Sequence, residues 1–261
     1  MNKMKIKILA ATIMSLVFLN TFAADNSIYI DQAGDNAVIS ITQDGAGNIV
    51  RGLPGVGTSS TTPAIIYGDN NQVTVSQVGS GNTLRLGIDT TTGGVGNPVI
   101  NYSITGSNAS ATISSMKTGA TNDSPQISVV QDGNFSSATV IQSGAGTNNS
   151  VNVTTAGGTY NAVTVNQTSD TTALATVDIS GGGSNTVGIT QTAGSNTASV
   201  TIAGASNTLT ATQTGDHALS ASFTGSGNTA TFSQTGLPVS NIANVVSSGS
   251  GNTFTVTQTA R

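Results

Sequence analysis

Residues 185–213 decide the fold, because one pattern occurs in them three times. The stretch contains Asn185-Thr-Val-Gly-Ile-Thr-Gln191, then Asn196-Thr-Ala-Ser-Val-Thr-Ile202, then Asn207-Thr-Leu-Thr-Ala-Thr-Gln213. In each copy an Asn, two apolar residues and a final Gln or Ile take alternate positions. Strict alternation is the signature of a β-strand with one buried face. Each copy therefore predicts a strand whose inner side begins with an Asn and continues with apolar residues, and in two of the three copies ends in Gln.

Related copies occur along most of the chain, at Asn26–Gln32, Asn71–Gln77, Asn161–Gln167, Asn228–Gln234 and Asn252–Gln258. Glycine-rich segments such as Gly79–Gly81 and Gly225–Gly227 separate them, and such residues form tight turns. A strand–turn–strand pair of about 22 residues cannot bury its inner face alone, so stacking must complete the core. The sequence predicts an all-β fold over residues 24–261, a β-solenoid with amyloid-like cross-β stacking. Residues 52–70, with two prolines, predict a loop between turns.

Inward Asn and Gln side chains are predicted to lie above one another. A buried amide is costly when isolated, but a stacked one can bond to the copies above and below it. The residues assigned to these inward amide ladders are Gln32, Gln43, Gln77, Gln131, Gln142, Gln167, Gln191, Gln213, Gln234, Gln258, Asn26, Asn71, Asn82, Asn161, Asn185, Asn196, Asn207, Asn228 and Asn252. A β-sandwich is the alternative fold, but sandwiches do not repeat Asn and Gln in register.

The composition disfavours helical folds and several classes of function. Of 261 residues only 7% are charged, there is no Cys, and there is one His. Ordinary domains carry about 25% charged residues. Beyond residue 23 there are four basic residues and 11 Asp, giving a net charge of 4 − 11 = −7. Nucleic-acid binding needs a basic surface, so no nucleic-acid partner is expected.

Residues 1–23 are predicted to be a secretory signal peptide. Lys3, Lys5 and Lys7 precede the apolar run 8–19, and cleavage is expected between Ala23 and Ala24. The run is shorter than the ~20 apolar residues of a transmembrane helix, and no later segment approaches that length. We therefore expect an exported chain without membrane insertion.

The chain offers little for catalysis, and no catalytic, cofactor-binding or metal-binding residue is predicted. His217 takes the place of the repeat Asn after Gly215-Asp216, which indicates a turn substitution and not a general base. The charges at Asp35, Asp44, Asp132 and Asp216 are expected in turns, where they keep the exported chain soluble and slow premature pairing. Convergence of several Asp on one face, as in solenoid enzymes that cleave polysaccharides, is the alternative.

Several strand–turn–strand segments resemble the curlin repeat, in which a strand ending in Gln runs through Gly-x-Gly-Asn into a second strand. The segments are Gln32–Val38, Gln43–Asn48, Gln77–Leu84 and Gln213–Ala221, and the resemblance extends over most of residues 26–258. The sequence departs from the curlin pattern at Ile202 and Phe223, which stand where Gln is expected.

The resemblance implies a secreted, non-enzymatic structural subunit that polymerises into extracellular, curli-like amyloid fibres for biofilm matrix, surface adhesion and aggregation. The implied partners are further copies stacked head to tail, a nucleator subunit, and a bacterial outer-membrane secretion channel reached through the periplasm.

Two further observations bear on assembly. Open strand edges recruit other strands, and the copies at Asn26–Gln32 and Asn252–Gln258 are expected to leave no room for a cap at either end of the mature chain. The alternative is a monomeric solenoid that binds a surface, either as an adhesin stalk or as an ice-binding protein. Ice binding would use the outward threonines Thr208, Thr210, Thr212, Thr229, Thr231, Thr253, Thr255 and Thr257.

Overall fold

A computed structural model describes residues 25–53, 62–90, 97–116, 124–143, 148–168, 172–236 and 240–260. In these residues 21 β-strands and no helix are present, and the strands stack in parallel as a β-solenoid. The predicted fold class is thereby confirmed, although a turn takes about 24 residues and not about 22. The predicted signal peptide, with Ala23 and Ala24, lies outside the described residues.

Sheet A forms one wall of the coil and has 12 strands. Ten of them follow in order along the axis: β1 (Ser27–Ile28), β4 (Ile49–Arg51), β7 (Thr83–Asp89), β9 (Ser110–Met116), β11 (Ser137–Ser143), β13 (Ala162–Gln167), β15 (Thr186–Thr192), β17 (Thr208–Thr214), β19 (Thr229–Thr235) and β21 (Thr253–Thr259). The remaining two are β2 (Ile30–Ala33) and β5 (Ala64–Tyr67), and β5 pairs with both β2 and β7.

The second wall consists of two shorter sheets, one after the other along the axis. Sheet B contains β3 (Gln43–Asp44), β6 (Gln77–Val78), β8 (Ile104–Thr105), β10 (Gln131–Asn134) and β12 (Thr155–Thr159). Sheet C contains β14 (Ala173–Thr176), β16 (Asn196–Thr201), β18 (His217–Phe223) and β20 (Asn241–Ser247). A parallel bridge between Ser150 and Leu174 connects the two regions.

Register is preserved from turn to turn because equivalent residues pair directly. Thr208 is the partner of Thr229, and Gln213 is the partner of Gln234. Since successive side chains of a strand point to opposite faces, every second residue enters the space between the walls. One continuous cluster of mainly small and medium apolar side chains fills this space along the coil.

The loop predicted over residues 52–70 is only partly correct. The chain leaves sheet A after Arg51 and re-enters it at Ala64 to form β5, so the insertion interrupts a strand within one turn. The segment Ala64-Ile-Ile-Tyr67 has neither the Asn nor the Gln that marks other copies, so the repeat pattern did not predict this strand. Gly87 makes room for the insertion, because a Cβ atom there would lie 2.5 Å from Leu53 Cδ1.

Glycines in the tight turns between strands lie above one another along the coil. A Cβ atom on Gly225 would overlap the carbonyl oxygen of Gly249, and one on Gly204 would overlap that of Gly225. Because stacked strands are only about 4.8 Å apart, these turns leave no space for a side chain between them. Gly251 differs, since it has a positive φ of 72° but no atom within 4 Å of an added Cβ.

We expect Gly225→Ala to destabilise the solenoid more than Gly251→Ala. Overlap with a neighbouring backbone should cost about 3 kcal/mol, whereas alanine in the left-handed region should cost about 1 kcal/mol. The free energy of unfolding in urea, measured on freshly diluted soluble protein, checks this ranking. An equal or smaller loss for Gly225→Ala would show that the turns can separate to admit a methyl group.

Candidate functional site: the amide ladders

An asparagine ladder runs along the start of the sheet A strands. Each side-chain oxygen accepts two hydrogen bonds from the next copy, as Asn185 Oδ1 does from Asn207 N (2.9 Å) and Asn207 Nδ2 (3.1 Å). Asn228 bonds to Asn207 in the same way, at 2.9 and 3.0 Å. The uninterrupted part of this ladder comprises Asn161, Asn185, Asn207, Asn228 and Asn252.

The first turns contain a variant of this ladder. Asn48 N donates to Asn26 Oδ1 at 2.9 Å, and Asn82 N donates to Asn48 Oδ1 at 3.1 Å. Here Nδ2 donates to a turn carbonyl, as from Asn48 to Gly79 at 2.9 Å. Asn48 is missing from the set predicted from the sequence, although the Gly-Ala-Gly-Asn turn before it marks the position.

A glutamine ladder runs along the other end of the sheet A strands. Each Nε2 donates to Oε1 of the next copy along Gln142, Gln167, Gln191, Gln213, Gln234 and Gln258, at distances of 2.8–3.0 Å. The second amide hydrogen bonds to the opposite wall: Gln213 Nε2 lies 3.0 Å from Thr197 O and 3.2 Å from His217 O. The ladder therefore joins successive turns and also joins the two walls.

Several predicted residues lie elsewhere. Gln32 occupies the same row as the glutamine ladder, but Ile66, Ile88 and Ser115 separate it from Gln142. Both Gln32 and Asn26 are exposed, since they belong to the first described turn.

The second wall holds the other predicted amides. Gln43, Gln77 and Gln131 lie on sheet B, and Asn71 and Asn196 also lie on this wall. Gln43 Nε2 donates to Gln77 Oε1 at 2.7 Å, and Ile104 then interrupts the row before Gln131. The same sequence pattern therefore occurs in strands of both walls.

Beyond Gln131 the row on the second wall loses its amides. Its next members are Thr155, Ile179, Ile202, Phe223 and Ser247. Phe223 stacks against Phe254 of sheet A, with ring centroids 6.2 Å apart. The two departures from the curlin pattern are therefore core packing positions.

His217 replaces an amide in a row on the second wall and does not lie in a turn. It is the first residue of β18, is 1% exposed, and stands between Asn196 and Asn241. Its Nδ1 accepts from Asn241 N at 3.3 Å, and its Nε2 lies 2.9 Å from Thr214 O. Asn196 Nδ2 likewise bonds to the carbonyl three residues earlier, that of Ala193, at 3.0 Å. The imidazole thus makes the hydrogen bonds of a repeat Asn.

Two of the four predicted turn charges lie in strands. Asp44 ends β3 and Asp132 is within β10, each directly before a glycine with a positive φ, whereas Asp35 and Asp216 lie in bends. Asp216 Oδ1 accepts from Ser195 N of the preceding turn at 2.6 Å. At this position the carboxylate joins two turns, in addition to any effect on solubility. Within the described part of the chain, no three acidic or histidine side chains gather as a metal-binding group.

The stacked walls and amide ladders define a parallel β-solenoid. Residues 182–215, which contain β15, β16 and β17, match the family model "Curlin associated repeat". The chain therefore contains a curlin-associated repeat, which confirms the resemblance. No curated protein and no solved structure gives a significant match to the chain. None of the described segments is a helix long and apolar enough to cross a membrane.

We expect Gln213→Glu to destabilise the solenoid at pH 7 by about 3 to 5 kcal/mol, because it places an unpaired charge in the ladder. Burial raises the pKa of the introduced carboxyl above its value in the unfolded chain. The loss is therefore greatest above the folded-state pKa and diminishes as the pH falls. Below the unfolded-state pKa the introduced carboxyl is protonated in both the folded and the unfolded chain. The remaining cost in stability is then the loss of one amide N–H donor.

Thr212→Glu is the matched control, since its side chain points outward from the adjacent position. Its cost should stay within about 0.5 kcal/mol, with little dependence on pH. Urea unfolding between pH 7 and pH 4 compares the two variants. The same pH dependence for both would contradict a structural role for the glutamine ladder.

Proposed function

We propose that this chain is a secreted, non-enzymatic subunit that polymerises into curli-like extracellular fibres of a biofilm matrix. The observation that carries the proposal is the edge of β21. There the backbone and the last amide of each ladder keep hydrogen-bonding groups that no other described residue uses. The curlin-associated repeat supports the same conclusion. Export after removal of residues 1–23, passage through an outer-membrane channel, initiation by a nucleator and surface adhesion belong to the proposal.

The backbone of β21 has one paired side and one open side. Thr229 N donates to Asn252 O at 2.8 Å, so alternate residues from Asn252 to Gln258 turn their polar groups toward β19. Thr253, Thr255 and Thr257 turn theirs away from β19. Among the described residues no strand pairs with this side.

The ladders end at the same strand with unused capacity. Asn252 Nδ2 donates to Asn228, while Asn252 Oδ1 accepts no hydrogen bond from the described residues. Gln258 Nε2 donates to Ile242 O at 3.0 Å and retains a second hydrogen. An incoming strand would therefore meet an acceptor at one corner of the coil and a donor at the other.

The incoming strand that fits these groups is the first turn of a second copy. It has exposed amides at Asn26 and Gln32, the same six-residue spacing that separates Asn252 from Gln258. The strand β21 carries no charged residue, so Asp31 of the incoming turn meets no like charge on it. Continued addition of copies would build a cross-β rod.

We expect Thr255→Pro to slow fibre elongation at least tenfold and to change the stability of the soluble chain little. Proline removes an N–H from the open edge, and that group forms no bond within the solenoid. Thr255→Val keeps the N–H and should elongate like the wild type. Seeded elongation of residues 24–261, followed by light scattering, checks this.

Electron microscopy and fibre diffraction of the wild type after dilution from denaturant test the proposal itself. Unbranched fibres with reflections near ~4.8 and ~10 Å are expected. A β-rich monomer that never polymerises would overturn the fibre function.

A monomeric surface binder is the second candidate, favoured by the outer face of the last turns. Four hydroxyl rows cross β17, β19 and β21: Thr208–Thr229–Thr253, Thr210–Thr231–Thr255, Thr212–Ser233–Thr257 and Thr214–Thr235–Thr259. Within each row the side chains are one strand separation apart, and adjacent rows lie two residues apart along the strand, so the methyl and hydroxyl groups form a regular lattice. We expect Thr231→Tyr to abolish thermal hysteresis if this face binds ice. Absence of hysteresis in the wild-type protein would exclude ice binding.

A further inference from the structure

Two arginines lie side by side on the outer face of sheet A. Arg51 of β4 pairs in register with Arg85 of β7, and the next residue of the row is Thr112. The chain has seven basic residues, of which three precede residue 8. Lys117 and Arg261 lie outside the described residues, so this pair accounts for every lysine and arginine side chain that the structure describes.

The pair has no acidic partner in the part of the chain that the structure describes. Neither guanidinium forms an ion pair or hydrogen bond with another described residue, and Arg51 Nε is buried without a partner. Asp31 instead accepts a hydrogen bond from the Tyr67 hydroxyl at 2.6 Å, and Asp89 pairs in register with Tyr67. The undescribed insertion 54–61 contains no charged residue.

Packing requirements do not explain this arrangement. Like charges placed directly opposite each other on adjacent strands are destabilising, and later turns place Thr112, Thr139 and Thr164 in the same row. A threonine would therefore suit the wall at both positions. The unpaired positive charge at this point, on a chain with a mature net charge of 4 − 11 = −7, indicates a negatively charged ligand.

The surroundings provide further donors for such a ligand. Arg51 and Arg85 line a shallow groove of about 190 Å³ together with Thr83, Ser110 and Thr112. Guanidinium groups bind oxyanions with paired N–H donors, and hydroxyl groups can donate to the remaining oxygens. Backbones about 4.8 Å apart allow both guanidinium groups to contact one small anion.

We propose that Arg51 and Arg85, with the adjacent hydroxyls, form a binding site for a tetrahedral oxyanion, namely a phosphate or sulfate group. The site lies on the outer face of the sheet, away from the edge of β21. It is therefore independent of the proposed fibre function, and either can fail without the other.

Titration calorimetry of residues 24–261 at low ionic strength tests the site, with inorganic phosphate, inorganic sulfate and acetate as probes. Saturable binding of phosphate or sulfate to one site is expected. The anion that binds more tightly shows whether the ligand of this site carries a phosphate or a sulfate group. Acetate should bind at least tenfold more weakly, because it is planar and has two oxygens. No saturable binding, or equal binding of all three anions, would overturn the proposal.

Variants separate a built site from general electrostatics. Arg51→Gln and Arg85→Thr should each weaken binding about tenfold or more, by loss of charged hydrogen bonds. Lys117→Gln changes the net charge equally and should alter affinity less than twofold. Arg85→Thr should also leave the urea midpoint of the anion-free protein unchanged or raised, which excludes unfolding as the cause. Equal weakening by Lys117→Gln would overturn the proposal.

Discussion

The structure depends on hydrogen bonds between identical side chains in successive turns. A buried primary amide has two donors and two acceptor sites, and leaving them unpaired in a core is costly. In the C-terminal half each Asn and Gln of the two sheet A ladders meets its own copy one turn away, as Gln213 meets Gln191 and Gln234 at 3.0 and 2.9 Å. The penalty is removed only when the next turn is in place, so the ladders make turn formation cooperative. This allows a solenoid with a narrow core of Ala, Val and Ile to be ordered.

The ladders differ in direction, and this gives the coil chemically distinct ends. Along the Asn ladder the donors belong to the later turn, as from Asn207 to Asn185. Along the Gln ladder they belong to the earlier turn, as from Gln213 to Gln234. An end turn therefore presents a free acceptor at one corner and a free donor at the other. A strand added out of register would place neither of its amides opposite these groups, so the ladders specify the register of an added strand as well as holding strands together.

Much of this arrangement could be predicted from the sequence because its period is short. Alternation located the strands, and repeated Asn and Gln positions indicated parallel stacking in register. The pattern could not assign a copy to a wall, since Asn196–Ile202 on sheet C and Asn207–Gln213 on sheet A look alike. It also failed at Ala64–Tyr67, where Ile66 takes the place of an amide. The Arg51–Arg85 pair was missed for another reason: the insertion separates residues that register brings together, so their 34-residue spacing departs from the repeat.

The side-chain rows of the solenoid become more regular toward its C-terminal strands. In the first turns the Gln row is interrupted by Ile66, Ile88 and Ser115, and Gln142 Oε1 and Ser115 Oγ remain unpaired in the core. From Gln142 to Gln258 the row is continuous. The outer face changes in parallel, from the arginine pair and the insertion to uniform rows of threonine. Uninterrupted ladders transmit register to the next strand, whereas an interrupted row tolerates exchange of side chains. The turns near β21 are thus suited to templating a new strand, and the earlier turns are free to carry individual surface features such as an anion site.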